Sequence, residues 1–151
     1  MQGAKKKILL IEDEPHIMKL EAVILKEYDV STAYVGSEGI EKARDERPDL
    51  IILDLMMPKI DGFEVLETLK GSDNTEIARI TKGIPVLIVS SASQAIDMNR
   101  AFSLGACDYI TKPFEPKDLL KKVREILSDS RNAPLRKKRR SGRRKASSSK
   151  K

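Results

Sequence analysis

Five short apolar runs recur along the chain, and most are followed by a polar turn and then by apolar residues at helical spacing. Lys7 to Ile11 reads as a short buried strand that ends in the acidic run Glu12-Asp13-Glu14. Pro15 suits the first turn of a helix, and Ile17, Met18, Leu20, Val23, Ile24 and Leu25 then recur with helical spacing to about Lys26. Asp29 to Ala33 forms a second strand candidate. Ser37 is placed to cap a helix carrying Ile40 and Ala43, which Arg47-Pro48 stops. Leu50 to Leu53 is apolar throughout and reads as a strand buried on both faces, as parallel strands are. It runs straight into Asp54. Pro58 and Gly62 punctuate the next loop, and Phe63, Leu66 and Leu69 mark a helix to about Lys70.

Gly71 to Gly83 is polar at first, and Ile77, Ala78 and Ile80 suggest an extra helical turn. Pro85 to Val89 is a fourth strand, ending in Ser90-Ser91. Ser93 can cap a helix containing Ala95, Ile96, Met98, Ala101, Phe102 and Leu104, closed by Gly105 in the left-handed conformation. Cys107 to Ile110 is the fifth strand, with Thr111-Lys112-Pro113-Phe114 behind it. A last helix starts near Pro116 and carries Leu119, Leu120, Val123, Ile126 and Leu127. Five strands alternating with five helices imply a three-layer α/β domain around a parallel sheet.

Composition divides the chain in two. Its 151 residues suffice for one domain with a sizeable core. Eleven of the 29 Lys and Arg lie from Arg131 onward, where there is no Asp or Glu. The residues before that point therefore carry about −5 and the tail +11. Residues 1–130 read as the domain and residues 131–151 as a disordered basic tail. Cys107 is the single cysteine, so an intrachain disulfide is excluded; in its apolar run it reads as a small hydrophobe. The apolar run Ile8 to Ile11 is too short for a signal peptide or a membrane span, so a cytoplasmic protein is expected.

Three strands end in polar or acidic residues, at Glu12-Asp13, Asp54 and Ser90, and Lys112 follows the fifth. In a parallel sheet these ends emerge on one edge, where open α/β sheets bind ligands. Crowded carboxylates repel one another unless a cation is present. A few carboxylates with open positions suit Mg²⁺, which keeps waters and shares its shell with phosphate oxygens. Asp, Mg²⁺, Lys and a hydroxyl are together the parts for phosphoryl transfer to a carboxylate.

The Glu-Asp-Glu after the first strand, Asp54 with Pro58 and Gly62 behind it, Ser90, and Tyr109-Ile110-Thr111-Lys112-Pro113-Phe114 resemble the receiver domain of two-component response regulators. The resemblance covers about Lys6 to Ser130. It implies a flavodoxin-like fold with strand order 2-1-3-4-5. It further implies that Asp54 takes a phosphoryl group from the phosphohistidine of a histidine kinase or phosphotransfer protein and thereby switches the binding of a downstream target. Asp13, Asp54 and the Met56 carbonyl would hold Mg²⁺, with Glu12 completing the pocket through water. Ser90 would hydrogen-bond the phosphoryl group, Lys112 would pair with it, Tyr109 would change rotamer, and the Lys112-Pro113 bond would be cis. The expected chemistry is slow self-catalysed phosphoryl transfer and autodephosphorylation, not that of a metabolic enzyme. Glu12 stands where the family more often has Asp, Ser91 where it commonly has Ala, and the connection from Gly71 to Gly83 is longer than usual.

Other readings are weaker. A Mg²⁺-dependent phosphatase of the haloacid dehalogenase type needs an Asp two residues after the nucleophile as general acid and base. That position is Met56, which transfers no proton. Asp61 reads as a turn residue, His16 as a solvated helix-start residue, and Met56 and Met57 as packing. Residues 131–151 form a candidate contact for nucleic acid or an anionic surface, of the non-specific kind. Arg143-Arg144-Lys145-Ala146-Ser147 resembles a basophilic kinase site, a short and weak motif.

Overall fold

The computed structural model of the chain describes residues 5–57, 61–71 and 75–129. Five strands form one parallel sheet: β1 (Lys7–Ile11), β2 (Asp29–Ala33), β3 (Leu50–Leu53), β4 (Val86–Ser90) and β5 (Asp108–Thr111). Their order is β2-β1-β3-β4-β5, as the resemblance implies. Among the described residues six helices connect or follow them: α1 (Pro15–Ile24), α2 (Gly36–Glu46), α3 (Gly62–Lys70), α4 (Glu76–Thr81), α5 (Ala95–Ser103) and α6 (Pro116–Ser128). The five helices expected from the sequence become six because the Ile77-Ala78-Ile80 turn forms a helix of its own. Thr75 caps it by accepting a hydrogen bond from the Ala78 N–H at 3.0 Å.

Alternation along the strands sorts the core into two layers. Leu9, Ile11, Ile51, Leu53, Val86 and Ile88 face the side covered by α2, α3 and α5, and α4 packs against α2 and α3. Ile8, Leu10, Leu50, Ile52, Leu87 and Val89 face α1 and α6. Cys107 packs at the margin of this second layer, where burial pushes its thiol up to about 11, in keeping with a small hydrophobe.

The apolar spacing of α1 misleads in one respect. The residues turned to the core are Met18, Glu21, Ala22 and Leu25, three or four apart. Leu20 and Val23, expected in the apolar set, point away and are 42% and 61% exposed. Glu21 takes a core position and is 1% exposed.

Two helix caps differ from expectation. α2 starts after Val35, so Ser37 lies inside its first turn; the Glu38 carboxylate instead reaches back to the Tyr34 N–H at 3.0 Å. α5 starts after Gln94, whose carbonyl accepts from the Asp97 and Met98 N–H groups, so Ser93 is not the cap. α2 ends with Arg47 in the left-handed region at φ 48° just before Pro48, and Gly105 at φ 111° follows α5 as expected.

The inserted segment is tied down by two side chains. Lys70 Nζ donates to the Lys82 and Ile84 carbonyls at 2.7 and 2.8 Å. The buried Thr81 hydroxyl lies 2.7 Å from the Leu69 carbonyl and 2.9 Å from that of Ile77. The extra length is thereby folded against α2 and α3 and leaves the strand ends open. Pro58 and the tail after Asp129 lie outside the described residues.

Behind Asp54 the chain doubles back so closely that Gly62 donates its N–H to the Leu55 carbonyl at 3.1 Å. A Cβ on Gly62 would overlap the Leu55 backbone and sit 2.7 Å from the Asp54 carbonyl. The glycine is needed for this approach, and Asp61 beside it caps α3 by accepting from the Phe63 N–H at 2.9 Å. Gly62→Ala should cost about 1–3 kcal/mol, the usual penalty of forcing atoms into packed space. Urea unfolding would read it; an unchanged midpoint would contradict the close approach.

Candidate functional site

Strand register brings the polar ends together. β1 and β3 pair with Ile11 opposite Leu53, so the next residues, Glu12 and Asp54, emerge side by side; the Asp54 N–H is held by the Ile11 carbonyl at 3.1 Å. β4 and β5 pair with Ser90 opposite Thr111, and the Lys112 N–H continues the ladder onto the Ser90 carbonyl at 2.9 Å. The Lys112-Pro113 bond is cis, as expected.

Glu12, Asp13 and Asp54 each offer a carboxylate oxygen, and these oxygens lie within 4.8 Å of one another. Glu12 and Asp54 are buried and Asp13 is half-buried. Glu12 Oε2 accepts from the Glu14 N–H at 3.0 Å, and Asp54 Oδ1 accepts from the Met56 N–H at 3.1 Å. The remaining oxygens meet one ammonium: Lys112 Nζ lies 2.8 Å from Glu12 Oε1 and 3.2 Å from Asp54 Oδ2.

Electrostatics follow from burial and crowding. Burial raises the Glu12 carboxyl above its usual value against the Lys112 hydrogen bond, and the charge of Asp54 raises it further. For Lys112 burial works downward, but the hydrogen bond to Glu12 and the field of Asp54 outweigh it, so the ammonium is held above its ordinary range. Three carboxylates against one ammonium leave an excess of negative charge on hard oxygen donors, a set able to hold a metal ion.

Ser90 is fully buried, and its Oγ accepts from the Ala92 N–H at 3.2 Å. Tyr109 is 8% exposed, with its hydroxyl donating to the Ala92 carbonyl at 2.5 Å. Burial raises its phenol pKa, the charge of Asp97 adds to this, and a hydrogen bond with Ser90 opposes it. Ser90 and Tyr109 thus meet on one loop, the turn after β4. Phe102 of α5 packs beside the Tyr109 ring, with centroids 6.4 Å apart. Met56 turns its side chain outward, 58% exposed, while Met57 is buried.

Glu12, Asp13, Asp54 and Lys112 are therefore gathered at one point, with Ser90 and Tyr109 joined along the adjacent loop. The residue that sequence reasoning missed is Glu21, whose Oε2 is buried without a hydrogen-bond partner. Burial and then the charge of Glu12 raise its carboxyl to about 8, against the attraction of Lys112. Its spacing from Met18 and Leu25 was the available signal.

Comparison with known proteins shows the family and the fold. Residues 8–124 match the family model of the response regulator receiver domain. The chain is 39% identical over 127 residues to the alkaline phosphatase synthesis transcriptional regulatory protein PhoP of Bacillus subtilis, covering 83% of this chain and 50% of that protein. It is also 39% identical over 130 residues to the DNA-binding dual master transcriptional regulator RpaA of Synechocystis, covering 85% of this chain and 52% of RpaA. The chain spans about half the length of the curated relatives it matches. Among solved structures, Vibrio cholerae chemotaxis protein CheY4 superposes with a TM-score of 0.73 at 29% identity, covering 81% of this chain and 98% of that one. The phosphorylated cyanobacterial phytochrome response regulator RcpA does so with a TM-score of 0.66 at 32% identity, covering 82% and 91%. No helix among the described residues is long and apolar enough to cross a membrane. By sequence and by fold, the chain belongs to the response regulator receiver domain family of two-component systems.

Proposed function

We propose that Asp54 is the phosphoacceptor of a two-component phosphorelay and that its phosphorylation switches the binding of a downstream target. The observation that carries this is the meeting of three carboxylates within 4.8 Å, with Lys112 Nζ 3.2 Å from Asp54 Oδ2. An Asp54 carboxylate oxygen attacks the phosphorus of a phosphohistidine, the P–N bond breaks, and its electron pair stays on the imidazole of the histidine kinase or phosphotransfer protein. Asp13, Asp54 and the Met56 carbonyl would hold Mg²⁺, with Glu12 contributing through water. When bound, the ion supplies charge neutralisation for the phosphoryl oxygens.

Lys112 supplies the second positive charge. In the resting arrangement it is shared between Glu12 and Asp54; once Asp54 carries a phosphoryl group the ammonium has a stronger partner there, so it favours a second arrangement. Ser90 and Tyr109 would pass that change to the turn after β4, because both bond to Ala92. The phosphorylated state of RcpA, 32% identical to this chain, supports the reading. Met56, two residues after Asp54, has no proton to transfer, so hydrolysis is slow and the chain acts as a signalling protein, one that we place in the cytoplasm.

Acetyl phosphate with Mg²⁺ should add one phosphoryl group to the purified protein, read by intact mass. Asp54→Ala should abolish the gain, and Asp13→Ala should abolish or sharply reduce it for lack of metal. An equal yield in Asp54→Ala would contradict the assignment.

The basic segment 131–151 supports a second activity, non-specific contact with nucleic acid. Lys122 of α6 pairs with Asp108 at the start of β5, and Arg124 pairs with Glu27 just before β2. The last helix therefore runs back to the sheet edge opposite Glu12, Asp54 and Lys112, and the eleven positive charges follow from there. Fluorescence anisotropy with a labelled duplex should show binding that weakens steeply with salt and is largely lost when the chain is cut after Ser130. Binding that survives the cut would contradict it.

A further inference from the structure

One buried carboxyl beside the pocket has no part in the proposed phosphoryl transfer. Glu21 sits on the core face of α1 between Met18 and Leu25, is 1% exposed, and has an Oε2 without a hydrogen-bond partner. Its surroundings offer little to stabilise an ion. The face of α6 packed in the same layer presents Leu119, Val123 and Ile126, and the strands beneath present apolar residues such as Leu10, Ile52 and Val89. The charged groups whose fields reach Glu21 lie at three strand ends: Glu12 after β1, Lys112 after β5 and Asp54 after β3. Among the described residues, no hydrogen bond joins Glu21 to Glu12, Asp13 or Asp54.

A buried carboxyl with an oxygen left unpaired, as Glu21 Oε2 is, keeps its proton, because the neutral form avoids the cost of desolvating a charge. Here burial comes first and the charge of Glu12 second in raising it, to about 8, so at neutral pH the group is mainly protonated. The field half of that balance is not fixed. It comes from the pocket, and a divalent cation there would reverse its sign.

We propose that Glu21 is a proton-exchanging wall behind the cation pocket: it holds a proton while the pocket lacks a divalent cation and releases it to water when the cation binds at Glu12, Asp13 and Asp54. In that step the carboxyl O–H bond breaks, the carboxylate keeps the electron pair, and no other bond changes. The inference rests on the metal reading of the pocket and adds to it a residue outside the ligand set.

The sign of the linkage is fixed. A group that loses a proton on cation binding makes the affinity rise with pH for as long as there is a proton to displace, and stops doing so above its pKa in the cation-free pocket. Mg²⁺ binding should therefore tighten by up to about tenfold per pH unit below pH 8 and level off above it.

Calorimetric titration of the full chain with MgCl₂ at neutral pH, in two buffers of different protonation enthalpy, counts the protons released. The wild type should release on the order of half a proton or more per ion, and Glu21→Gln should release distinctly less, with a flatter dependence of affinity on pH. Glu21→Leu, which suits the apolar layer, must show the same loss, so that poor folding of the Gln variant does not decide the matter. Equal release in wild type and both variants would overturn the role of Glu21. If the wild type takes up no Mg²⁺, the metal reading of the pocket fails first and the proton coupling with it.

Discussion

At the carboxyl edge of the sheet one ammonium lies between two buried carboxylates that would repel each other without it. Lys112 Nζ reaches both Glu12 and Asp54, 2.8 and 3.2 Å away. A buried charge network of this kind is costly to leave half-satisfied, and much of the local structure serves to satisfy it. The Glu14 and Met56 N–H groups take up the outer carboxylate oxygens, and the Lys112 N–H extends the sheet ladder by one bond. The bridge is also a point of instability in the useful sense. Any change in the charge of Asp54 alters what Lys112 prefers, and the polypeptide on either side of Lys112 leads directly to Tyr109 and to α6.

The sheet makes this possible because parallel register is a strong constraint. Once Ile11 is opposite Leu53 and Ser90 opposite Thr111, residues separated by about a hundred positions in sequence share one edge. Gly62 completes the arrangement from behind, since only a residue without a side chain lets the loop press against Leu55 and the Asp54 carbonyl. Fold and site are therefore one construction, and the extra α4 is accommodated because Lys70 and Thr81 secure it against α2 and α3.

The sequence made strand positions and the site residues legible because each apolar run ends abruptly at a charged or hydroxyl residue. That contrast survives any uncertainty of one or two residues at strand ends. Helix starts were less legible. Ser37 and Ser93 are good caps by type, yet α2 and α5 start after Val35 and Gln94 with no side-chain cap, because the chain geometry entering each helix decides where it begins. The inner face of α1 was hidden for another reason. Leu20 and Val23 look like core residues and Glu21 like a surface one, but helix phase, set by Met18 and Leu25 against the sheet, reverses them.

The central claim is that Lys112 changes partner when Asp54 gains a phosphoryl group. A crystal structure of the protein with Mg²⁺ and beryllofluoride tests it most directly. The account predicts beryllium bonded to an Asp54 carboxylate oxygen, with Lys112 Nζ withdrawn from Glu12 and bonded to fluorine. Beryllofluoride on Asp54 with Lys112 still paired to Glu12 would contradict it.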